Sequence, residues 1–185
     1  LRNELTAARH HPGIVESPSP TGFLRLQWPD EDGTADFARR LAAQPALADS
    51  FVTLHGDLGA GKTTFVRHLL RALGVQGRIK SPTYAVVEPH DTAAGPAWHF
   101  DFYRFGDPRE WEDAGFRDIF AGPGLKLAEW PEKAGALLPP ADLALHIEAA
   151  EPAGGAYDGD APPRQILLRA GTPRGHALVQ ALTTA

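Results

Sequence analysis

The stretch Gly56-Asp57-Leu58-Gly59-Ala60-Gly61-Lys62-Thr63-Thr64 constrains this chain more than any other. Before it, Phe51-Val52-Thr53-Leu54-His55 reads as a buried strand; after it, Phe65, Val66, Leu69, Leu70 and Leu73 recur at helical spacing over Thr63 to Leu73. Gly74 sits where a C-terminal cap glycine belongs. Strand, glycine-rich turn and helix in that order are the context that G-x-x-x-x-G-K-[ST] requires. Glycines let the backbone curl around a phosphate with several N–H groups pointing inward, where a Cβ would obstruct. The helix adds the positive end of its dipole at the same place. On this reading the amides of Asp57, Leu58, Gly59, Ala60 and Gly61 cradle a nucleotide's phosphates. Lys62 brings a mobile charge to the β and γ phosphates, Thr63 offers a hydroxyl to Mg²⁺, and Thr64 donates to the α phosphate.

The chain has 185 residues, one domain's worth. Residues 1–22 carry Pro-rich, aperiodic sequence and read as a disordered tail, leaving 23–185 as a single domain. The absence of cysteine excludes disulfides, thiolate zinc sites and cysteine nucleophiles. Eight histidines show no helical ligand spacing. With a net charge of -5, the chain lacks the global basic charge of a stand-alone nucleic-acid binder. No apolar run is long enough to span a bilayer and no basic-then-apolar leader opens the sequence, so the expectation is a cytoplasmic protein without membrane contact.

Further strands are expected at 23–28, 84–88, 98–103, 124–129, 143–148 and 165–169. Helices are expected from the Asp30–Thr34 region through Ala42, with Asp32 or Thr34 as N-cap, at 109–120 as one segment, and at 174–182. The Pro/Gly-rich run 151–163 reads as a loop. Strands interleaved with helices indicate an α/β three-layer sandwich, with a mostly parallel central sheet and some antiparallel strands.

A phosphate loop of this kind needs a second, magnesium-side carboxylate near the end of a neighbouring strand. Glu129 and Asp101 both qualify, and spacing does not choose between them. Lys126, three residues before Glu129, suggests that its strand is partly exposed.

Beyond the loop, the chain carries Thr34 in Thr-x-x-Phe-Ala, Ser81-Pro82-Thr83-Tyr84, His99-Phe100-Asp101-Phe102-Tyr103-Arg104, Gly115-Phe116-Arg117-Asp118 and Glu129-Trp130-Pro131-Glu132. In order and spacing, from about residue 28 to about residue 150, these strings resemble the bacterial TsaE (YjeE) family, small P-loop ATPases of the tRNA threonylcarbamoyladenosine (t6A) machinery. Phe37-Ala38, where Leu-Gly is common, the 151–163 insertion and the N-terminal tail depart from the pattern. The resemblance implies Mg²⁺-dependent hydrolysis of ATP, with Glu129 as the magnesium-side acid beside Thr63. It also implies a switch-like Ser81-Pro82-Thr83 loop whose Thr83 senses the γ-phosphate, and Asp101 as the residue ordering the attacking water. Thr34 and Glu132 match family positions near the nucleoside; their plainer readings are a helix cap and a solvated charge. Trp130 reads equally as sheet-edge packing or as a functional neighbour of the site.

The resemblance further implies that the chain acts on a TsaB–TsaD transferase pair and meets tRNA only through that complex. A small-molecule or nucleotide kinase and a non-catalytic, nucleotide-gated assembly factor are the competing readings. No arginine finger is evident, Arg104 being the candidate within the chain. His55 reads as strand-end packing, and Asp107, Glu110, Glu112 and Asp113 as a solvated face at a helix start.

Overall fold

The computed structural model describes residues 22–150 and 162–184. The expected tail lies outside the described residues except for Gly22, whose carbonyl accepts from the Ala170 N–H at 2.8 Å. Of the expected 151–163 loop, only Pro162 and Pro163 fall within them.

The strands are β1 (Phe23–Trp28), β2 (Phe51–His55), β3 (Val87–Thr92), β4 (Gly95–Asp101), β5 (Leu125–Glu129), β6 (Leu143–Ala149) and β7 (Arg164–Ala170). The helices are α1 (Glu31–Ala42), α2 (Lys62–Ala72), α3 (Pro108–Asp113), α4 (Phe116–Ala121), α5 (Pro131–Ala134) and α6 (Pro173–Thr184). All strands join one sheet in the order β1-β7-β6-β2-β5-β4-β3. The four central strands, β6, β2, β5 and β4, are parallel. β7 and β1 on one side and β3 on the other run antiparallel to their neighbours. This is the mixed α/β architecture expected from the sequence.

Strand alternation sends two sets of side chains to opposite faces. Val52, Leu54, Leu125, Leu127, Leu143, Leu145 and Ile147 face a core built with α1, α2 and α6. In α1 the buried positions Thr34, Phe37, Ala38 and Leu41 follow helical spacing. Trp28, Phe37 and Phe65 meet at ring distances of 5.4–6.0 Å, tying β1, α1 and α2 together. On the other face, Phe51, Phe100 and Ala128 pack with Phe102, Phe105, Trp111 and Phe116, covering β2, β5 and β4. Beyond that cover, the face carries Arg25, Gln27, His146, Glu148, Gln165 and Arg169 along an open groove of about 570 Å³.

Several expectations shift. The cap of α1 is Asp30, not Asp32 or Thr34: its carboxylate accepts from the Gly33 N–H at 2.8 Å, and the helix starts early enough to put Thr34 on its buried face. The strand expected at 84–88 lies at Val87–Thr92, because Val86 takes a positive φ of 65° and breaks the extended run. Pro89 is tolerated there because β3 is an edge strand. The helix expected over 109–120 is two helices, divided at Gly115, which has φ 68°. The expected partial exposure of β5 is wrong: all five residues are buried, and the Lys126 ammonium donates to the Gly122 carbonyl. An aliphatic stem lets a lysine occupy a buried strand provided its head finds oxygen. Gly74 does close α2, with the Val75 N–H donating to Leu70 O and the Gly74 N–H to Arg71 O, both at 3.0 Å.

Candidate functional site

Parallel pairing aligns the carboxyl ends of β2, β5 and β4. Leu54 sits opposite Glu129, and Glu129 opposite Asp101, so the loop that follows β2 meets both acids at one edge. That edge is where ligands bind in open α/β sheets. Gly56 leaves β2 with φ 141°, and a Cβ there would lie 2.3 Å from the Ile147 carbonyl oxygen of β6. Gly61, with φ 110°, is the N-cap of α2 and gives the helix start no side-chain cap, so its first N–H groups remain available to an anion.

The Lys62 ammonium donates to Gly56 O at 2.6 Å and Asp57 O at 2.9 Å, and lies 3.9 Å from the centre of the Trp130 ring. Burial pushes its pKa down, against the opposing pull of Glu129, Glu132, Asp101 and Asp57. Trp130 itself holds φ 55° and ψ 47°, a conformation uncommon for a bulky residue. The Tyr103 ring, 5.0 Å away, flanks it.

Thr63 Oγ1 donates to both oxygens of Glu129, at 3.0 and 2.9 Å. A hydroxyl and a carboxylate so close, at a helix start suited to phosphate, form a hard-oxygen pair. Such a pair fits Mg²⁺, which is usually held by one or two protein groups with substrate phosphates and waters. Asp101 is differently engaged. Its Oδ2 accepts from Ser81 Oγ and from Thr83 Oγ1, the latter at 3.1 Å, while Oδ1 accepts from the Tyr103 N–H at 2.9 Å. The carboxylate thus anchors the 81–83 loop to β4.

These groups line a cavity of about 300 Å³, bounded by Leu58, Lys62, Thr63, Thr83, Asp101 and Glu129 among others. A neighbouring cavity of about 150 Å³ adjoins the other flank of the loop, between Trp28, Thr34, Gly59, Gly61, Thr64 and Arg164. Thr34 therefore lies beside the Gly56–Thr64 loop. Glu132 does not line that second cavity; its carboxylate faces His55 Nδ1 at 3.9 Å. His55 stacks on His146 with ring centres 4.4 Å apart, in keeping with a packing role. Arg104 lies over the Tyr84 ring, 4.7 Å from its centre. In the acidic patch Asp107 caps α3 and Glu110 and Glu112 are exposed, while the side chain of Asp113 lies outside the described set.

One contributor carries no local sequence signal. Arg164 of β7 donates from Nε to Ala60 O at 2.8 Å and from Nη1 to Pro162 O at 2.6 Å. Only the pairing of β7 with β6 and β1 brings it there. Among the described residues no group of three or more His, Cys, Asp or Glu is arranged to hold a metal, and no helix is long and apolar enough to cross a membrane.

Residues 28–155 match the family model described as "TsaE: Threonylcarbamoyl adenosine biosynthesis protein TsaE". The chain is 43% identical to the tRNA threonylcarbamoyladenosine biosynthesis protein TsaE of Haemophilus influenzae, over 80% of this chain and 86% of that protein. It is 37% identical to the Bacillus subtilis protein of the same name, over 60% and 69% of the two chains. A crystal structure of Bacillus subtilis YdiB superimposes with a TM-score of 0.66 at 27% identity, covering 88% of this chain and 95% of that one. With the family model spanning well over half its length, the chain belongs to the TsaE family of threonylcarbamoyladenosine biosynthesis proteins.

Proposed function

We propose that the chain hydrolyses ATP to ADP and phosphate in a magnesium-dependent reaction, and that this hydrolysis serves t6A formation by acting on a TsaB–TsaD transferase pair. The observation that carries the reading is the contact of Thr63 Oγ1 with Glu129 at the mouth of the Gly56–Thr64 loop. An anion-binding helix start, a lysine and a magnesium-suited oxygen pair meet there. Loop amides and Lys62 hold the phosphates and offset their charge. Thr63 and Glu129 are the protein groups that would hold Mg²⁺, which would supply positive charge to offset the negative charge developing on the phosphates. Asp101 and Thr83 together make a polar wall on the far side of the cavity, suited to orienting an attacking water.

Action on a protein complex is supported by the rim of the cavity. Leu58, 78% exposed, and the exposed Tyr103 line it, and Tyr84, next in the chain to the lining Thr83, is 85% exposed, an apolar and aromatic set of the kind interfaces use. The test is phosphate release from ATP by the purified chain, alone and with the TsaB–TsaD pair, without any phosphoryl acceptor. Acceptor-independent, magnesium-dependent release is the expected result. Release that needs an added small-molecule acceptor instead identifies a kinase, and binding to the pair with no release identifies a nucleotide-gated assembly factor.

A further inference from the structure

His99 lies on β4 two residues before Asp101, on the same strand face, and pairs with Leu127 two residues before Glu129. Its side chain is fully buried, and Nε2 lies 2.8 Å from Glu129 Oε1. Nδ1 is also buried and has no hydrogen-bond partner among the described residues. That asymmetry selects a tautomer. With the proton on Nε2, the ring donates to the carboxylate and leaves only an unpaired lone pair at Nδ1. With the proton on Nδ1, a buried N–H would go unsatisfied and two lone pairs would face one another at Glu129. Glu129, itself buried, is therefore gripped from two elements: by the Thr63 hydroxyl of α2 and by the His99 ring of β4.

We infer that His99 is a positioning residue for the magnesium-side carboxylate. Its Nε2–H ties down Oε1 of Glu129 and fixes the orientation in which both carboxylate oxygens face the Thr63 hydroxyl, where the cation is proposed to bind. The inference rests on the magnesium role proposed for Thr63 and Glu129 and adds a third residue that touches neither nucleotide nor metal. Hydrogen-bond partners of metal ligands commonly tune metal affinity by 10- to 100-fold.

The experiment measures ADP binding by calorimetry across a range of magnesium concentrations for the full chain, His99→Leu and His99→Gln. In His99→Leu the magnesium concentration giving half the enhancement of ADP affinity rises about 10- to 100-fold. Its magnesium-free ADP affinity stays within about threefold of the parent chain. Glutamine places an N–H donor at similar reach, so His99→Gln regains most of the response; a merely space-filling role would favour leucine over glutamine. Superimposable magnesium curves for the parent chain and His99→Leu overturn the inference, as does a His99→Gln curve that follows His99→Leu. Nitrogen-15 imidazole spectra of the unmodified chain test it even if His99→Leu does not fold: a proton on Nε2 and a bare Nδ1 are expected, and the opposite tautomer overturns it. An unmodified chain whose ADP binding ignores magnesium brings down the underlying magnesium role, and is recognised before any substitution is made.

Discussion

Arg164 Nε donates to the carbonyl oxygen of Ala60 at 2.8 Å, joining the start of β7 to the Gly56–Thr64 loop. In a trans peptide the carbonyl and the following N–H point in opposite directions. Holding Ala60 O outward therefore directs the Gly61 N–H toward the side where the loop closes. Replacing Arg164 with Ala is expected to weaken ADP binding about tenfold, equivalent to about 1.4 kcal/mol. Lysine at the position recovers little, since a point charge does not reproduce the guanidinium fork that also reaches Pro162 O. Calorimetry with ADP decides it, and an affinity unchanged in Arg164→Ala refutes this bracing role.

The two acids at the strand ends separate by their partners. Glu129 faces Thr63, so Glu129→Gln is expected to cut phosphate release by about 100-fold or more and to abolish its response to magnesium. Asp101 faces Ser81 and Thr83, so Asp101→Asn is expected to leave ADP affinity within about threefold while slowing release by about 10- to 100-fold. Amide hydrogen exchange over residues 81–86 should quicken in Asp101→Asn and not in Glu129→Gln. An exchange of these phenotypes between the variants would mean that the assigned roles are reversed.

Lys62 is held by two loop carbonyls and the Trp130 ring, all of which an incoming phosphate must compete with. Lys62→Ala removes the attractive charge as well as these contacts. Turnover is expected to be lost and ATP affinity to fall by about 100-fold or more. Full turnover in that variant would show that the loop does not act on the phosphates.

How much of this was legible beforehand follows from the range of the interactions. The glycine-rich turn between β2 and α2 was readable because glycine spacing and helical periodicity are local properties, and the alternation of strands and helices was enough for the fold class. The nearness of Thr63 to Glu129 depends on β5 lying beside β2, a strand order the sequence does not give; the resemblance alone implied that the two residues act together. Arg164 reaches the loop through strand pairing, which leaves no motif behind, and His99, although it heads the His99–Arg104 string, meets Glu129 because β4 pairs with β5. The boundaries that moved did so for identifiable backbone reasons: a left-handed Val86, a left-handed Gly115 and an Asp30 cap ahead of the apolar stripe. The charge of Lys126 suggests exposure, but its aliphatic stem fits a buried strand once the ammonium reaches the Gly122 carbonyl.

Acidification is expected to destabilise the chain through its histidines. Burial is the main cause lowering the pKa of His55, His90 and His146. The stacked His146 adds to it at His55 and Arg169 at His146, while Glu132, Glu88 and Glu148 pull upward at His55, His90 and His146 respectively. Each folded-state pKa thus falls below the unfolded value of about 6.5. Below that pH the unfolded chain binds more protons than the folded one, so stability increases with pH through this window. The histidine contribution is fully present above about pH 7.5. It declines as the pH drops through about 6.5 and stops declining once the folded-state values are passed. Urea denaturation at closely spaced pH values between 8 and 5 should show the midpoint flat at the alkaline end and falling below about 6.5. His55→Gln combined with His146→Gln should flatten part of that decline, whatever the variant's stability at pH 8. A midpoint that holds steady or rises from pH 7.5 to 5.5 in the unmodified chain contradicts the assignment of these rings as neutral in the folded protein.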